Sequence, residues 1–180
     1  MSHKIDDARE RLLAEGKSML VEYGFDQWNI RKLVKNCDIA IGTFYNNFSS
    51  KEELTVEILR ADWERILYCI DEAAAMQEPF KRKLERIYSS VYKFFHNYKN
   101  VFVEMLIKSI PAKNDNVETK MTFCNKLSAL LTAEIAKGTI QTRLEPEKLS
   151  YIILQNFIYM SKEDYVTFDE FYQLLEGKGI

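Results

Sequence analysis

Apolar residues recur at helical spacing along almost the whole chain, and the breaks between the runs fall on Gly, Pro, Asn and Asp. The first run predicts a helix from about Ile5 to Tyr23, with Ile5, Leu12, Leu13, Met19 and Leu20 inward and Gly24 as its C-terminal stop. Gly16 falls on the buried face, which predicts close backbone packing against the third helix. Asn29 stands as N-cap before Ile30, Leu33 and Val34, a second and shorter apolar face. The chain then reverses at Asn36-Cys37-Asp38, where Asn and Asp tolerate left-handed backbone.

In the next short helix Ile39, Phe44 and Phe48 point inward, leaving Ala40, Ile41, Thr43, Tyr45 and Asn46 outward. Ser50 and Glu53 have capping-box spacing and open a fourth helix running to about Met76, roughly 40 Å at 1.5 Å per residue. That helix carries two apolar stripes, Leu54, Ile58 and Ala61 on one side and Leu59, Trp63, Ile66 and Ile70 on the other. Such a helix packs on two sides, as an element shared by two domains would. Residues 29 to 54 therefore read as a helix-turn-helix, whose second helix normally enters the DNA major groove.

Pro79 opens a fifth helix with Phe80, Leu84, Ile87, Val91, Phe95 and Tyr98 at helical spacing. A sixth spans about Val101 to Ile110 and is ended by Pro111, with a polar loop at Lys113 to Val117. The seventh reaches about Lys137 and stops at Gly138. Pro146 suits the first turn of the eighth, which ends near Met160. A ninth covers about Thr167 to Glu176, before Gly177-Lys178-Gly179. The expectation is an all-α protein of about nine helices, without repeats or strand-rich segments.

The eighth helix is apolar on two sides. Leu149, Ile152, Ile153, Phe157 and Met160 form one face, and Tyr151, Leu154, Ile158 and Tyr159 another, nearly opposite. The second face needs cover, for which a partner subunit is a ready candidate and the core of a monomer the alternative, with Phe168, Phe171, Leu174 and Leu175 of the last helix as a companion stripe. Tyr151, Leu154, Ile158, Phe171 and Leu175 are the expected interface of a homodimer.

The run Gly42-Thr43-Phe44-Tyr45-Asn46-Asn47-Phe48, followed by Ser50-Lys51-Glu52-Glu53-Leu54, resembles the tetracycline-repressor (TetR) family of bacterial transcription regulators, and Gly24-Phe25 sits where that family usually has such a pair. The resemblance covers about the first third of the chain. It implies a helix-turn-helix DNA-binding domain over 1–50, and a ligand-binding and dimerisation domain over 51–180 joined through the long fourth helix. Two such subunits would pair their last helices as an isologous four-helix bundle.

On that resemblance Thr43 and Tyr45 match positions that touch DNA, Tyr45 through its hydroxyl to a phosphate, and Lys51 matches a phosphate-contacting lysine. From the residues themselves, Arg31 suits either guanine or a phosphate, and Asn46 either adenine or a phosphate. Asn29 joins this DNA-facing set. Ile41 stands where the family often has a polar or basic residue, and suits only a thymine methyl or a sugar. Ala40 replaces the usual Ser or Thr, removing a side-chain cap at a cost of about 1 kcal/mol, and Asp38 replaces a customary Gly. By the same resemblance Tyr68, Tyr88, Tyr92, Phe95, Phe102, Met105 and Phe123 would line a ligand pocket, which suits an apolar or aromatic small molecule.

Charge adds little support for a nucleic-acid partner. The chain of 180 residues has a net charge of −2, and residues 1 to 55 hold eight Lys or Arg against nine Asp or Glu. Arg31, Lys32 and Lys35 nevertheless cluster on the second helix, so DNA binding should be modest and strongly salt-dependent. Cys37, Cys69 and Cys124 lack metal-ligand spacing and read as free thiols. No cofactor or metal motif appears. His3 and His96 have no catalytic partner nearby in sequence, so no enzyme is expected. The absence of a signal peptide or a membrane-length apolar run implies a cytoplasmic protein. The expected function is a ligand-responsive repressor binding a palindromic operator as a homodimer. The alternative is a TetR-like protein-interaction module that has lost operator binding, kept open by the acidic balance, Asp38 and Ile41.

Overall fold

The computed structural model describes residues 2–107, 115–163 and 165–176, and among them nine helices and no strand. They are α1 (Ser2–Gln27), α2 (Ile30–Asn36), α3 (Ile41–Tyr45), α4 (Lys51–Ala75), α5 (Phe80–Asn97), α6 (Lys99–Ile107), α7 (Asp115–Ala136), α8 (Pro146–Met160) and α9 (Phe168–Leu175). Helix α1 is interrupted at Gly24, whose φ of 75° is open to glycine and strained for other residues, so the expected stop appears as a kink. The expected end of the sixth helix at Ile110 and Pro111, most of the loop after it, the terminal glycines and the side chain of Ile5 lie outside the described residues.

Two compact units emerge, residues 1–62 with 97–112, and residues 63–96 with 113–180. The expected division at residues 50 and 51 therefore moves into α4. The first half of that helix is held by the first unit: a Cβ on Gly16 would lie 3.1 Å from both Leu54 Cδ2 and Ile58 Cδ1. Gly16 thus packs on α4 and not on the third helix, because Leu54 and Ile58 fill the space its missing side chain leaves. Arg9 pairs with Glu57, and Lys17 with Asp62 at 2.6 Å, while the Tyr98 hydroxyl donates to Asp62 at 2.7 Å. Tyr98 is fully buried and α6 packs on α1, which brings residues 97–107 into this unit.

The second unit is built around Trp63, Ile66, Ile70, Leu84, Ile87, Val91, Phe123, Leu127, Leu131, Ile153 and Phe157, with α7 packed on α8. Ala61, expected on a buried stripe of α4, is exposed. Phe94, unremarked by the sequence pattern, is buried, and its ring meets Trp63 edge-on at 5.3 Å. Lys83 also sits in the core. Its ammonium donates to Glu134 Oε1 at 3.0 Å, and Lys137 reaches the same oxygen at 3.1 Å. Burial pushes the Glu134 carboxyl up, but hydrogen bonds and charge from Lys83 and Lys137 outweigh it and hold the group below the ordinary glutamate value.

Helix ends follow local chemistry. Thr167 and Glu170 form a complete capping box at α9. At α4, Ser50 Oγ accepts from the Glu53 N–H at 3.2 Å and the Glu53 carboxylate accepts from the Ser49 N–H at 2.7 Å. Helix α7 closes with Gly138 at φ 74°: its N–H donates to Ile135 O, and the Thr139 N–H donates to Glu134 O. Helix α2 ends by the same pattern with an aspartate. Asp38 donates to Lys35 O and Ile39 to Val34 O, and Asp38 takes φ 51°. This is the paired closure that usually places glycine at the left-handed position.

Two expectations follow. Lys83→Met should cost about 3 kcal/mol in urea unfolding by stranding part of the Glu134 charge, and Lys83→Met with Glu134→Leu should recover most of it. Because the folded Glu134 pKa is depressed, its contribution is present above the unfolded value of about 4.3 and lost as pH falls through the folded value. Thermal melts of the double variant should accordingly be less sensitive to acidification below about pH 5 than those of the native chain. Asp38→Gly should stabilise the first unit by about 0.5 kcal/mol, relief of left-handed strain exceeding the added chain entropy; a lower melting temperature would contradict this.

Candidate nucleic-acid interface

Helices α2 and α3 and the turn between them depend on a few apolar anchors. Leu33, Phe44 and Phe48 are almost fully buried, with the Phe44 and Phe48 rings 5.9 Å apart. Arg9 lies 5.0 Å over the Phe48 ring. Helix α1 also holds the turn directly, since Arg11 donates to Cys37 O at 3.0 Å and satisfies a carbonyl at the end of α2. Asn36 donates to Glu15 at 2.6 Å. Burial pushes the Cys37 thiol up, so it stays protonated, and Cys124 is raised for the same reason.

Helix α3 starts at Ala40 without a side-chain cap, as its sequence predicts. It turns Ile41 (45% exposed) and Tyr45 (54% exposed) to solvent on one face, one helical turn apart. Asn46 is exposed at the helix end, and Thr43 is half-buried. The Tyr45 ring leans edge-on against Phe44 at 5.3 Å, which fixes its base and leaves its outer part in solvent. Asn47 donates to Thr43 O at 2.7 Å and so locks the last turn. A Cβ on Gly42 would meet nothing within 4 Å, so no internal packing demands glycine there.

The cations do not all behave as the sequence predicts. Arg31 and Lys35 stand exposed on α2, while Lys32 is drawn over the Tyr23 ring at 4.1 Å. Asn29 spends its side-chain oxygen on the α2 cap, accepting from the Lys32 N–H at 2.9 Å. Lys51, expected at a phosphate, donates to Trp28 O at 2.6 Å and lies 4.6 and 4.7 Å above the Phe25 and Trp28 rings. Its visible work is to brace the loop before α2 against the start of α4. Sequence spacing gives no sign of this, because Trp28 and Lys51 meet only through the fold.

The other expected sites are partly rearranged. Tyr68 is 64% exposed, so it does not line an interior, whereas Phe123 is buried and Tyr88, Tyr92 and Phe95 are half-buried in the second unit. Phe102 and Met105 belong to the first unit. Tyr88 stacks on Phe168 at 5.4 Å and touches Phe157 at 5.0 Å. His96 is exposed and stacks on Tyr92 at 5.6 Å. Of the expected dimer residues, Leu154 and Phe171 are buried within the subunit, where α7 packs on α8 and Phe171 meets Phe157 at 5.7 Å. Tyr151 is exposed, and Ile158 and Leu175 are half-buried. On α8 and α9 the large apolar side chains left outward are Tyr151, Ile152, Tyr159 and Leu174, each more than 40% exposed. Among the described residues no group of His, Cys, Asp or Glu is placed to hold a metal, and no helix is long and apolar enough to cross a membrane.

Comparison with known proteins supports the same domain. Residues 12–58 match the family model of bacterial regulatory proteins of the tetR family. The repressor NemR of Escherichia coli (strain K12) is 37% identical over 57 residues, a match covering 32% of this chain but only 29% of NemR. Two solved structures extend the likeness to nearly the whole fold. Reduced E. coli NemR superposes with a TM-score of 0.72 at 16% identity, covering 96% of each chain. FadR from Bacillus subtilis, solved with stearoyl-CoA, gives 0.67 at 16% identity, covering 93% of this chain and 98% of FadR. The segment 12–58 thus matches the tetR family of bacterial regulatory proteins, while the match spans less than a third of NemR and the rest of the chain shares the all-helical fold of the solved structures.

Proposed function

We propose that the protein is a ligand-responsive transcriptional repressor that binds a palindromic operator as a homodimer. The observation carrying this is α3 itself: a short helix braced from inside by Phe44 and Phe48, with Ile41, Tyr45 and Asn46 turned outward. Such a helix is shaped to enter a major groove. The Tyr45 hydroxyl and Arg31, with Lys35 beside it, are the backbone-contacting set, while Thr43 and Asn46 face bases or sugar. Lys51 acts as a brace, and Asn29 as a cap.

A dimer would carry two such helices, placed for successive major grooves about 34 Å apart. The outward apolar side chains Tyr151, Ile152, Tyr159 and Leu174 are the surface a second copy would cover. In the second unit, Trp63 is buried among Phe94, Phe95 and Phe123, and its indole N–H has no hydrogen-bond partner. An apolar ligand with one acceptor group suits these surroundings. Of the stearoyl-CoA held by the structurally similar FadR, the long acyl chain is apolar in this sense, although its CoA portion is polar and charged. Helix α4 gives its first turns to one unit and its remainder to the other, so a ligand that prefers one setting of the second unit would shift the population competent for DNA.

Selection from a random duplex pool, followed by a salt series on the selected sequence, tests the DNA reading. A sequence-selective complex that weakens steeply with salt is expected. Arg31→Ala should lower the slope of log K against log salt by about 2 per dimer, one phosphate contact from each subunit. The absence of a selective complex at low salt would favour the protein-interaction alternative, which the uncharged surface of α3 also suits. Sedimentation checks the assembly: Ile152→Glu together with Tyr159→Glu should convert a dimer into a folded monomer at micromolar concentration.

A further inference from the structure

Between Asp38 and Lys51 the sequence holds no charged residue, so α3 meets its target without an arginine or lysine of its own. Its first turn offers Ile41, 45% exposed, flanked by Ala40 and Gly42. A Cβ on Gly42 would touch nothing within 4 Å, so beside Ile41 the helix surface is bare. The branched side chain is thus exposed, with Tyr45 as the next outward group on the same face. An isoleucine has no hydrogen-bonding group and cannot distinguish bases by donor or acceptor pattern. In the major groove its one selective partner is the 5-methyl group of thymine, the only apolar feature displayed there.

We infer that Ile41 is a specificity-determining residue that reads a thymine methyl in each half-site, an assignment that rests on the DNA-binding reading above. Ile41 is the first residue of α3, and the N-terminal end of a recognition helix is the part that meets base edges, which favours this over sugar packing. Glycine at 42 places no side chain beside Ile41 that would compete with it for a base edge. Arg31 and Lys35, exposed on α2, are placed to serve the backbone.

The test takes the duplex selected by the native protein and replaces each half-site thymine in turn by deoxyuridine, which keeps every hydrogen bond and removes only the methyl. At one position the native protein should bind about fourfold more weakly, the change corresponding to roughly 0.8 kcal/mol for one buried methyl-sized group. Ile41→Ala, an exposed substitution whose folding is checked by thermal melting, should bind the thymine and deoxyuridine duplexes equally. Retained binding by Ile41→Ala with unchanged methyl discrimination would overturn the inference, as would a native protein indifferent to every methyl. A native protein with no selective complex at all would overturn the DNA-binding reading, and this inference with it.

Discussion

Helix α3 has five residues and no side-chain cap, so it cannot hold its own shape. A single turn of helix fixes several dihedral angles for one or two hydrogen bonds, and in isolation the balance is unfavourable. What holds it is the burial of Phe44 and Phe48, one turn apart, with Leu33 equally buried on α2. The two phenylalanines contribute about 1.5–3 kcal/mol each by leaving water, more than a missing cap costs. The outward side chains can consequently be chosen for what they meet, because none of them is needed to keep the helix folded. Function and folding are separated here by alternate sides of one turn.

That separation reaches back into α1, which carries no outward role in the proposed interface but anchors both neighbours. Arg11 reaches the carbonyl at the end of α2, Asn36 returns to Glu15, and Gly16 lets α4 lie close. The ion pairs of Arg9 and Lys17 to α4 are partly exposed and contribute little individually. They nevertheless use up α1 cations on structure, which is why the charge total of the first 55 residues says so little about the surface of α2. The second unit does the opposite and buries a lysine. Lys83 sits with Glu134 in the core, an arrangement worth little net stability against apolar residues of the same size but costly to break on one side.

Much of this was legible in the sequence where a residue type has one physical use. Pro146 does begin α8, Gly138 does take a left-handed angle, Asn29 does cap α2, and Asp38 does carry the turn. The helix-turn-helix segment was readable for that reason. Reading failed where periodicity carries no contrast. Helix α8 is apolar nearly all round, so nothing in the sequence says that Leu154 faces in and Ile152 faces out. Lys83 was missed because a lysine at a core spacing reads as surface unless its partner, 51 residues away, is known. The contact of Lys51 with the Trp28 carbonyl is likewise invisible to spacing, its partner lying 23 residues earlier.

The slight acidic balance of residues 1 to 55, at first an argument against a nucleic-acid partner, has a different consequence once α3 is seen to be uncharged. Phosphate attraction strengthens binding to all sequences alike, so it raises affinity without raising discrimination. In the proposed interface, contacts from Ile41, Thr43, Tyr45 and Asn46 would depend on what lies in the groove or on the path of the backbone. A protein with few phosphate cations starts from weak non-specific binding, and each base-dependent contact then forms a larger share of the total. What matters in a genome is the ratio of specific to competing binding, not affinity alone. Asp38 acts in the same direction, placing a negative charge at the turn where a glycine would have been neutral. Under the proposed function, the departures from the usual family pattern at 38 and 41 would thus act together, away from charge and toward shape and methyl contact.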